Sequence, residues 1–224
     1  MNDFKYGFEP VKWHTEWALI TNKYGQLLSY NLPRYHNSYS KCTYQKYIID
    51  MLETKKYDIF LDVGAHMGLF SQVGVHNCKY VYAYEAQPFF YGVLLNNMKL
   101  YDNITCKYAY VSKKDDVPMI DKNNFMRMVV IDQTNVVYNI DVIVLDEEYK
   151  QFRDMFPNAR ILIKLDIEGS ELKALEASPE LKKNKNVHWI IDVHPPRGVS
   201  VEDVKGQFVN RKITQIGKKV LKIE

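Results

Sequence analysis

The sequence predicts an α/β fold built on a largely parallel sheet, and three observations carry that expectation. Ile59-Phe60-Leu61-Asp62-Val63 is a short apolar run that ends in a glycine-containing turn, Gly64-Ala65-His66-Met67-Gly68. A second run, Tyr80-Val81-Tyr82-Ala83-Tyr84, follows after one helix-length and ends in Glu85. Further apolar runs alternate with helical patterns down the chain, as strands joined by crossover helices do.

Taken in order, residues 17–21 and 26–30 flank the turn-like Asn22-Lys23-Tyr24-Gly25, which predicts an N-terminal hairpin. The polar and aromatic stretch 33–40 reads as a lid-like loop. Residues 44–53 place Tyr44, Tyr47, Ile48, Met51 and Leu52 at helical spacing, an amphipathic helix able to cover a sheet edge. After Glu85, residues 89–100 predict a helix and 104–111 a third strand. From 117 to 140 short strand-like pieces suggest a β-rich connector. Residues 140–145 lead into a short acidic helix, and 160–166 form the fourth strong strand candidate. A helix beginning near Gly169 or Ser170, a strand at 187–193 and a terminal hairpin over 212–223 complete the pattern.

Composition narrows the function classes. At 224 residues the chain fits one α/β domain with additions and can bury a core without disulfides or metals. A net charge of +3, from 30 basic against 27 acidic residues, is too balanced to argue by itself for a nucleic-acid binder. The first residues contain no apolar signal region, and no apolar run approaches the roughly 18 residues of a membrane span. Cys42, Cys78 and Cys106 lack any Cys-x-x-Cys pairing, so neither a disulfide framework nor a zinc site is expected. A soluble protein of the reducing cytoplasm, with no membrane partner and no metal ligand, is the simplest reading.

Ligands of an open parallel sheet bind outside the carboxyl ends of its strands. Several chemistry-bearing residues fall there: Asp62, Gly64 and Gly68 at the first strand, Glu85 at the second, Asp166 and Glu168 at the fourth, His194 at the fifth. Glu85 lies about 20 residues past the turn, where a βαβ unit sets a carboxylate beside a ribose. It is able to accept from two vicinal hydroxyls. The full Gly-x-Gly-x-x-Gly fingerprint is absent, which weakens a nicotinamide reading. The bland alternative is a tight strand-to-helix turn with no ligand.

Lys164 shares a strand face with Leu162 and Asp166 among aliphatic neighbours. Either it snorkels to an edge, or it pairs with Asp166 or Glu168 and shapes the site. Asp166 and Glu168 either orient or deprotonate a nucleophile, or cap the next helix. His194, stopped by Pro195-Pro196, is positioned as a general base or is a surface histidine. His66 reads as a cofactor or substrate contact. Asn123, Asn124 and Arg127 are either substrate contacts or solvated loop residues.

The ordered segments 60–68, 83–88, 144–146, 163–171 and 192–195 resemble the motifs of FkbM-type S-adenosylmethionine-dependent methyltransferases. The distinctive run is Lys164-Leu165-Asp166-Ile167-Glu168-Gly169-Ser170-Glu171. The match extends from about Tyr44 to the C-terminus, which sets apart residues 1–43, the hairpin and lid-like extension, from a methyltransferase domain at 44–224. The resemblance implies a Rossmann-like class I methyltransferase fold, with a mostly parallel seven-stranded sheet and an antiparallel C-terminal strand. It implies S-adenosyl-L-methionine as cofactor. Asp62, Gly64, Ala65 and Gly68 would surround its amino acid part, with His66 a further cofactor contact, Glu85 would bind the ribose, residues near Tyr110 and Val111 would flank the adenine, and Asp166 would lie near the transferred methyl. The family usually has asparagine where this chain has His66, and here an extra residue separates Glu85 from Pro88.

The expected activity is O-methylation of a hydroxyl on a sugar or small metabolite. Asp166 would serve as orienting group or base, Glu168 and Lys164 as its support, and His194 as the alternative base. Two other readings stand beside it. Lys205, Arg211, Lys212, Lys218, Lys219 and Lys222 keep open an RNA ribose 2′-O-methyltransferase. A non-catalytic module that binds cofactor or a protein partner is the third.

Overall fold

A computed structural model describes residues 16–22, 24–31, 43–117 and 140–224. The lid-like loop, Cys42, most of the expected β-rich connector and Asn123, Asn124 and Arg127 lie outside these residues. The first described elements are a hairpin, β1 (Glu16–Asn22) and β2 (Gly25–Asn31), and the helix α1 (Thr43–Thr54). Then come β3 (Ile59–Val63), α2 (Leu69–Asn77), β4 (Tyr80–Glu85), α3 (Pro88–Met98) and β5 (Ile104–Val111). After β6 (Asp141–Ile143) follow α4 (Leu145–Met155), β7 (Ile161–Leu165), α5 (Glu171–Glu176), α6 (Pro179–Lys183) and β8 (Val187–Asp192). A 3₁₀ turn at Pro195–Arg197, α7 (Val201–Gly206), β9 (Ile213–Ile216) and β10 (Val220–Ile223) close the chain.

The main sheet has the order β6-β5-β4-β3-β7-β8-β10-β9. Its strands pair in parallel from β6 to β8, and β10 inserts antiparallel between β8 and β9. The expected α/β fold and its antiparallel C-terminal strand are present. Among the described residues the main sheet has eight strands rather than the expected seven, because the three-residue β6 adds to the outer edge of β5. Three residues carry too little periodicity to be read in advance as a strand separate from the helix that follows.

Every residue of β3 and β7 is buried. Both strands are covered on two faces, which is why they read as continuous apolar runs rather than alternating ones. Ile59, Leu61, Val63, Ile161, Ile163, Leu165 and Trp189 belong to one core layer. Phe60, Leu162 and Ile190 belong to the other, with Ile48, Met51 and Leu52 of α1 and Val73 of α2. The predicted amphipathic helix at 44–53 thus covers the sheet. Asp146, in the first turn of α4, accepts from the backbone N–H of Glu180 at 2.8 Å and of Leu181 at 3.0 Å, and so caps α6. At the hairpin turn, Tyr24 stacks on His76 of α2 with ring centroids 5.1 Å apart. Among the described residues, no helix is long and apolar enough to cross a membrane.

From β3 the sheet is built outward through β4, β5 and β6, and the chain then crosses back through α4 to β7 on the other side of β3. The crevice outside the carboxyl ends of these two strands is therefore the switch point where such sheets take ligands.

Candidate functional site

The turn after β3 forms one wall of that crevice. Gly64 and Gly68 have φ of +78° and +89°, in the left-handed region where a side chain is strained. A Cβ on Gly64 would come within 1.9 Å of the Asp166 carbonyl oxygen. Glycine is required there because the turn and the residue after β7 touch. The turn also uses its own donors. The N–H groups of Gly64 and Ala65 both point at the Tyr84 carbonyl at 2.9 Å, that of His66 at Glu85 Oε2 at 2.7 Å, and that of Gly68 at the Ala65 carbonyl at 2.9 Å. A dinucleotide-binding turn keeps amides available for a pyrophosphate. These four are already engaged.

His66 adopts φ +54°. Asparagine and histidine are among the few residues that tolerate this conformation. Its ring lies 3.8 Å from that of Phe90. Burial, assisted by the Lys164 charge, pushes the imidazole down to about 4, so His66 is neutral at physiological pH.

Glu85, at the end of β4, is only 8 % exposed. Its two oxygens accept from the backbone N–H of His66 and of Gln87, each at 2.7 Å. Burial nevertheless raises the carboxyl to about 7, against the lowering effect of those bonds. Each oxygen keeps a second lone pair, so the group suits a vicinal diol. At the end of β5, Val111 is buried in the core, and the hydroxyl of the equally buried Tyr110 bonds Ser170 Oγ, tying β5 to the loop after β7. Burial pushes the Tyr110 phenol up to about 12.

Lys164 does not pair directly with Asp166 or Glu168 as expected. Its Nζ lies 3.1 Å from Asp62 Oδ1 and also donates to the Gly64 carbonyl. The other Asp62 oxygen accepts from Ser71 Oγ at 2.7 Å. Asp62 is wholly buried, beneath the turn, and holds it through Lys164 rather than lining its surface. Burial would lower the lysine, but the charges of Asp62 and Asp166 outweigh it and hold its pKa above the usual value.

Asp166, Glu168 and His194 are brought together. His194 Nε2 lies 3.6 Å from Asp166 Oδ1 and 3.7 Å from Glu168 Oε1, while Nδ1 sits 2.7 Å from Glu171 Oε1. Burial opposes a charge on this imidazole, but the hydrogen bond and charge of Glu171, with Asp166 and Glu168, hold its pKa above the usual value. Glu168, a non-glycine residue at φ +53°, and Gly169 at φ +114° shape the loop. A Cβ on Gly169 would lie 2.6 Å from that of Arg197, so the loop after β7 packs on the 3₁₀ turn after β8. Two acidic residues in this group had no role assigned from sequence, Glu171 and Asp192. Glu171 stood in the distinctive motif. Asp192, which pairs with Lys219 at 2.8 Å, gave only its place at the end of β8 as a signal. Cys78 and Cys106 are free thiols.

A family model described as the methyltransferase FkbM domain matches residues 62–211. Among solved structures, the fold resembles the methyltransferase FkbM of Methylobacillus flagellatus, with a TM-score of 0.50 and 17% identity over 75% of this chain. This chain spans 44% of the length of that protein. The precorrin-6y C5,15-methyltransferase of Geobacter metallireducens has a TM-score of 0.44 and 12% identity over 80% of this chain and 85% of its own. The N-methyltransferase NodS of Bradyrhizobium japonicum has a TM-score of 0.43 and 11% identity over 80% and 92%. No curated protein matches the sequence.

Proposed function

The chain belongs to the FkbM methyltransferase family, and on that premise we propose that it transfers the methyl group of S-adenosylmethionine to a hydroxyl oxygen of a sugar or other small metabolite. Residues 44–224 form the catalytic domain in this reading, and 1–43 an extension to it. The observation that carries the reading is the contact between Gly64 and the Asp166 carbonyl, which sets the acidic strand end directly against the glycine turn. A buried carboxylate for a diol and an acidic cluster for an acceptor thereby share one crevice.

When bound, S-adenosylmethionine supplies a methyl group on a positively charged sulfur that leaves as a neutral thioether. Glu85 would hold the ribose hydroxyls, and the Asp62–Lys164 pair stiffens the turn from below. Asp166 would receive the acceptor hydroxyl and take the proton it loses on methylation. Holding the reacting atoms in line supplies much of the acceleration in such a step. His194 Nε2, 3.6 Å from Asp166 Oδ1, is placed to position Asp166.

Methylation of RNA ribose has less support. Lys205 pairs with Glu202 at 2.7 Å, Lys219 with Asp192 at 2.8 Å and Lys222 with Glu224 at 2.7 Å. Arg211 donates to the carbonyls of Lys182 at 2.9 Å and Asn184 at 3.0 Å. These four cations all have partners within the chain. The test is incubation of the full chain with S-adenosylmethionine and a panel of sugars, hydroxylated metabolites and capped RNA, with product identified by mass spectrometry. O-methylation of a small hydroxyl compound is expected. Methylation confined to RNA would overturn the acceptor, and failure to bind the cofactor by calorimetry would overturn the activity.

A further inference from the structure

One ligating atom from each of Asp166, Asp192 and His194 lies within 4.8 Å of the others. Three features set this group apart from an ordinary hydrogen-bonded cluster. His194 Nδ1 is engaged by Glu171 Oε1 at 2.7 Å, so the opposite ring nitrogen is aimed at Asp166 Oδ1, 3.6 Å away, and Glu168 Oε1, 3.7 Å away. Both distances exceed a good hydrogen bond. They approach the separation of about 3.4 Å expected between two donors that each stand ~2.1 Å from one tetrahedral ion.

The second feature is Glu171 itself. A carboxylate on the remote ring nitrogen is how proteins fix the tautomer and orientation of a metal-bound histidine. Glu171 is fully buried, its Oε1 also accepts from the Gly169 N–H at 3.1 Å, and its Oε2 has no hydrogen-bond partner. The third is Asp192, which is 5 % exposed. Its Oδ2 takes Lys219 at 2.8 Å, and its Oδ1 is buried with no hydrogen-bond partner. Such an oxygen calls for an explanation, and an ion is one. Four carboxylates, Asp166, Glu168, Glu171 and Asp192, gather at these strand ends with His194 and Lys219, and the charge of Lys164 also acts on Asp166.

We propose that Asp166, Asp192 and Nε2 of His194 bind a first-row divalent transition cation, with Glu168 within reach as a further oxygen ligand and Glu171 orienting the imidazole. An imidazole beside carboxylates suits manganese, iron, cobalt or zinc, whereas magnesium and calcium favour oxygen alone. The expectation from sequence, that no residue ligates metal, looked for cysteine pairs. This set is built from three side chains that only the β7 and β8 strand ends bring together. Cation binding stands on these residues alone. Its role rests on the methyl-transfer reading, in which the ion would hold the acceptor oxygen and make its hydroxyl more acidic.

The test uses the full chain, stripped with EDTA and titrated with manganese chloride by calorimetry and electron paramagnetic resonance. One ion per chain is expected, bound more tightly than magnesium. Asp192→Asn and His194→Gln should each weaken binding at least about tenfold, and Glu171→Gln by roughly 10- to 100-fold with stoichiometry retained. Calorimetry with S-adenosylmethionine checks that each variant is folded. A measurement on the unaltered chain avoids that question: pulsed resonance should show one nitrogen coupled to manganese, changed by ¹⁵N-histidine labelling. No saturable binding, no nitrogen coupling, or equal binding by folded variants would overturn the proposal. Manganese binding with the nitrogen coupling but no methyl transfer to any acceptor would support the cation site and count against the activity. Methyl transfer by a protein that binds no cation would do the reverse.

Discussion

Lys164 stands directly opposite Asp62 in the register of β7 against β3, with its Nζ 3.1 Å from Oδ1 and both side chains almost wholly out of water. Two opposite charges at the centre of an apolar sheet are tolerable only as a pair. Removing one leaves the other buried and uncompensated. Lys164→Met should therefore cost about 3–5 kcal/mol of stability. Adding Asp62→Asn should recover part of it. Urea unfolding of the two singles and the double checks this, and a loss under about 1 kcal/mol for Lys164→Met would mean that water reaches Asp62.

Glu85, as the proposed ribose ligand, should make cofactor binding pH-dependent. Its carboxyl titrates at about 7 in the folded protein, and only the ionised form accepts from two ribose hydroxyls without giving up a lone pair to a proton. Affinity for S-adenosylmethionine should fall by about tenfold between pH 8 and pH 6, as one proton competes with the ligand. Calorimetry at several pH values measures it, and Glu85→Gln should bind weakly and without this slope. The same raised pKa has a stability consequence of opposite sign. In the ligand-free protein, the contribution of Glu85 is fully present below its unfolded value of 4.5 and is lost as pH rises through about 7.

Asp166→Asn separates binding from chemistry. The amide keeps the shape and the backbone carbonyl that touches the turn, but cannot take a proton. Cofactor affinity should be unchanged while kcat on an identified acceptor falls by about 10²–10⁴. Full turnover in this variant would remove Asp166 from the mechanism.

Two glycines with nearly equal backbone angles test the contact between turn and strand end. Gly198, at φ +84°, has no atom within 4 Å of where its Cβ would stand, whereas Gly64, at φ +78°, would meet the Asp166 carbonyl at 1.9 Å. Gly198→Ala should cost about 1–2 kcal/mol, the strain of the left-handed conformation alone. Gly64→Ala should add a steric penalty of roughly 1–3 kcal/mol. Thermal and denaturant unfolding of both variants would show it, and equal losses would mean that the contact yields freely.

The parts legible in the sequence were those encoded locally. The apolar runs of β3, β4, β5, β7 and β8 and the glycine turn announce themselves through periodicity and composition over a few residues. Glu85 could be placed at a strand end because the length of a βαβ unit is set by its geometry. The partner of Lys164 could not. Asp62 lies 102 positions away, and only the lateral order of β3 and β7 makes them neighbours. The clustering of Glu171 and Asp192 around His194 is hidden for the same reason, since α5 and the end of β8 meet only after the sheet is assembled. His66 is an intermediate case. The structure shows a left-handed backbone at that position, a conformation that asparagine and histidine both accept, which makes the departure from the usual family residue intelligible.

The engaged amides of the turn bear on selectivity in a mixture. A cell holds many adenosine-bearing molecules, and most of them carry phosphates. With the N–H groups of Gly64, Ala65, His66 and Gly68 directed at partners within the chain, those four amides offer such phosphates no donor. Under the proposed reading, discrimination against ATP or dinucleotides would come in part from interactions withheld by these amides, with no repelling charge required.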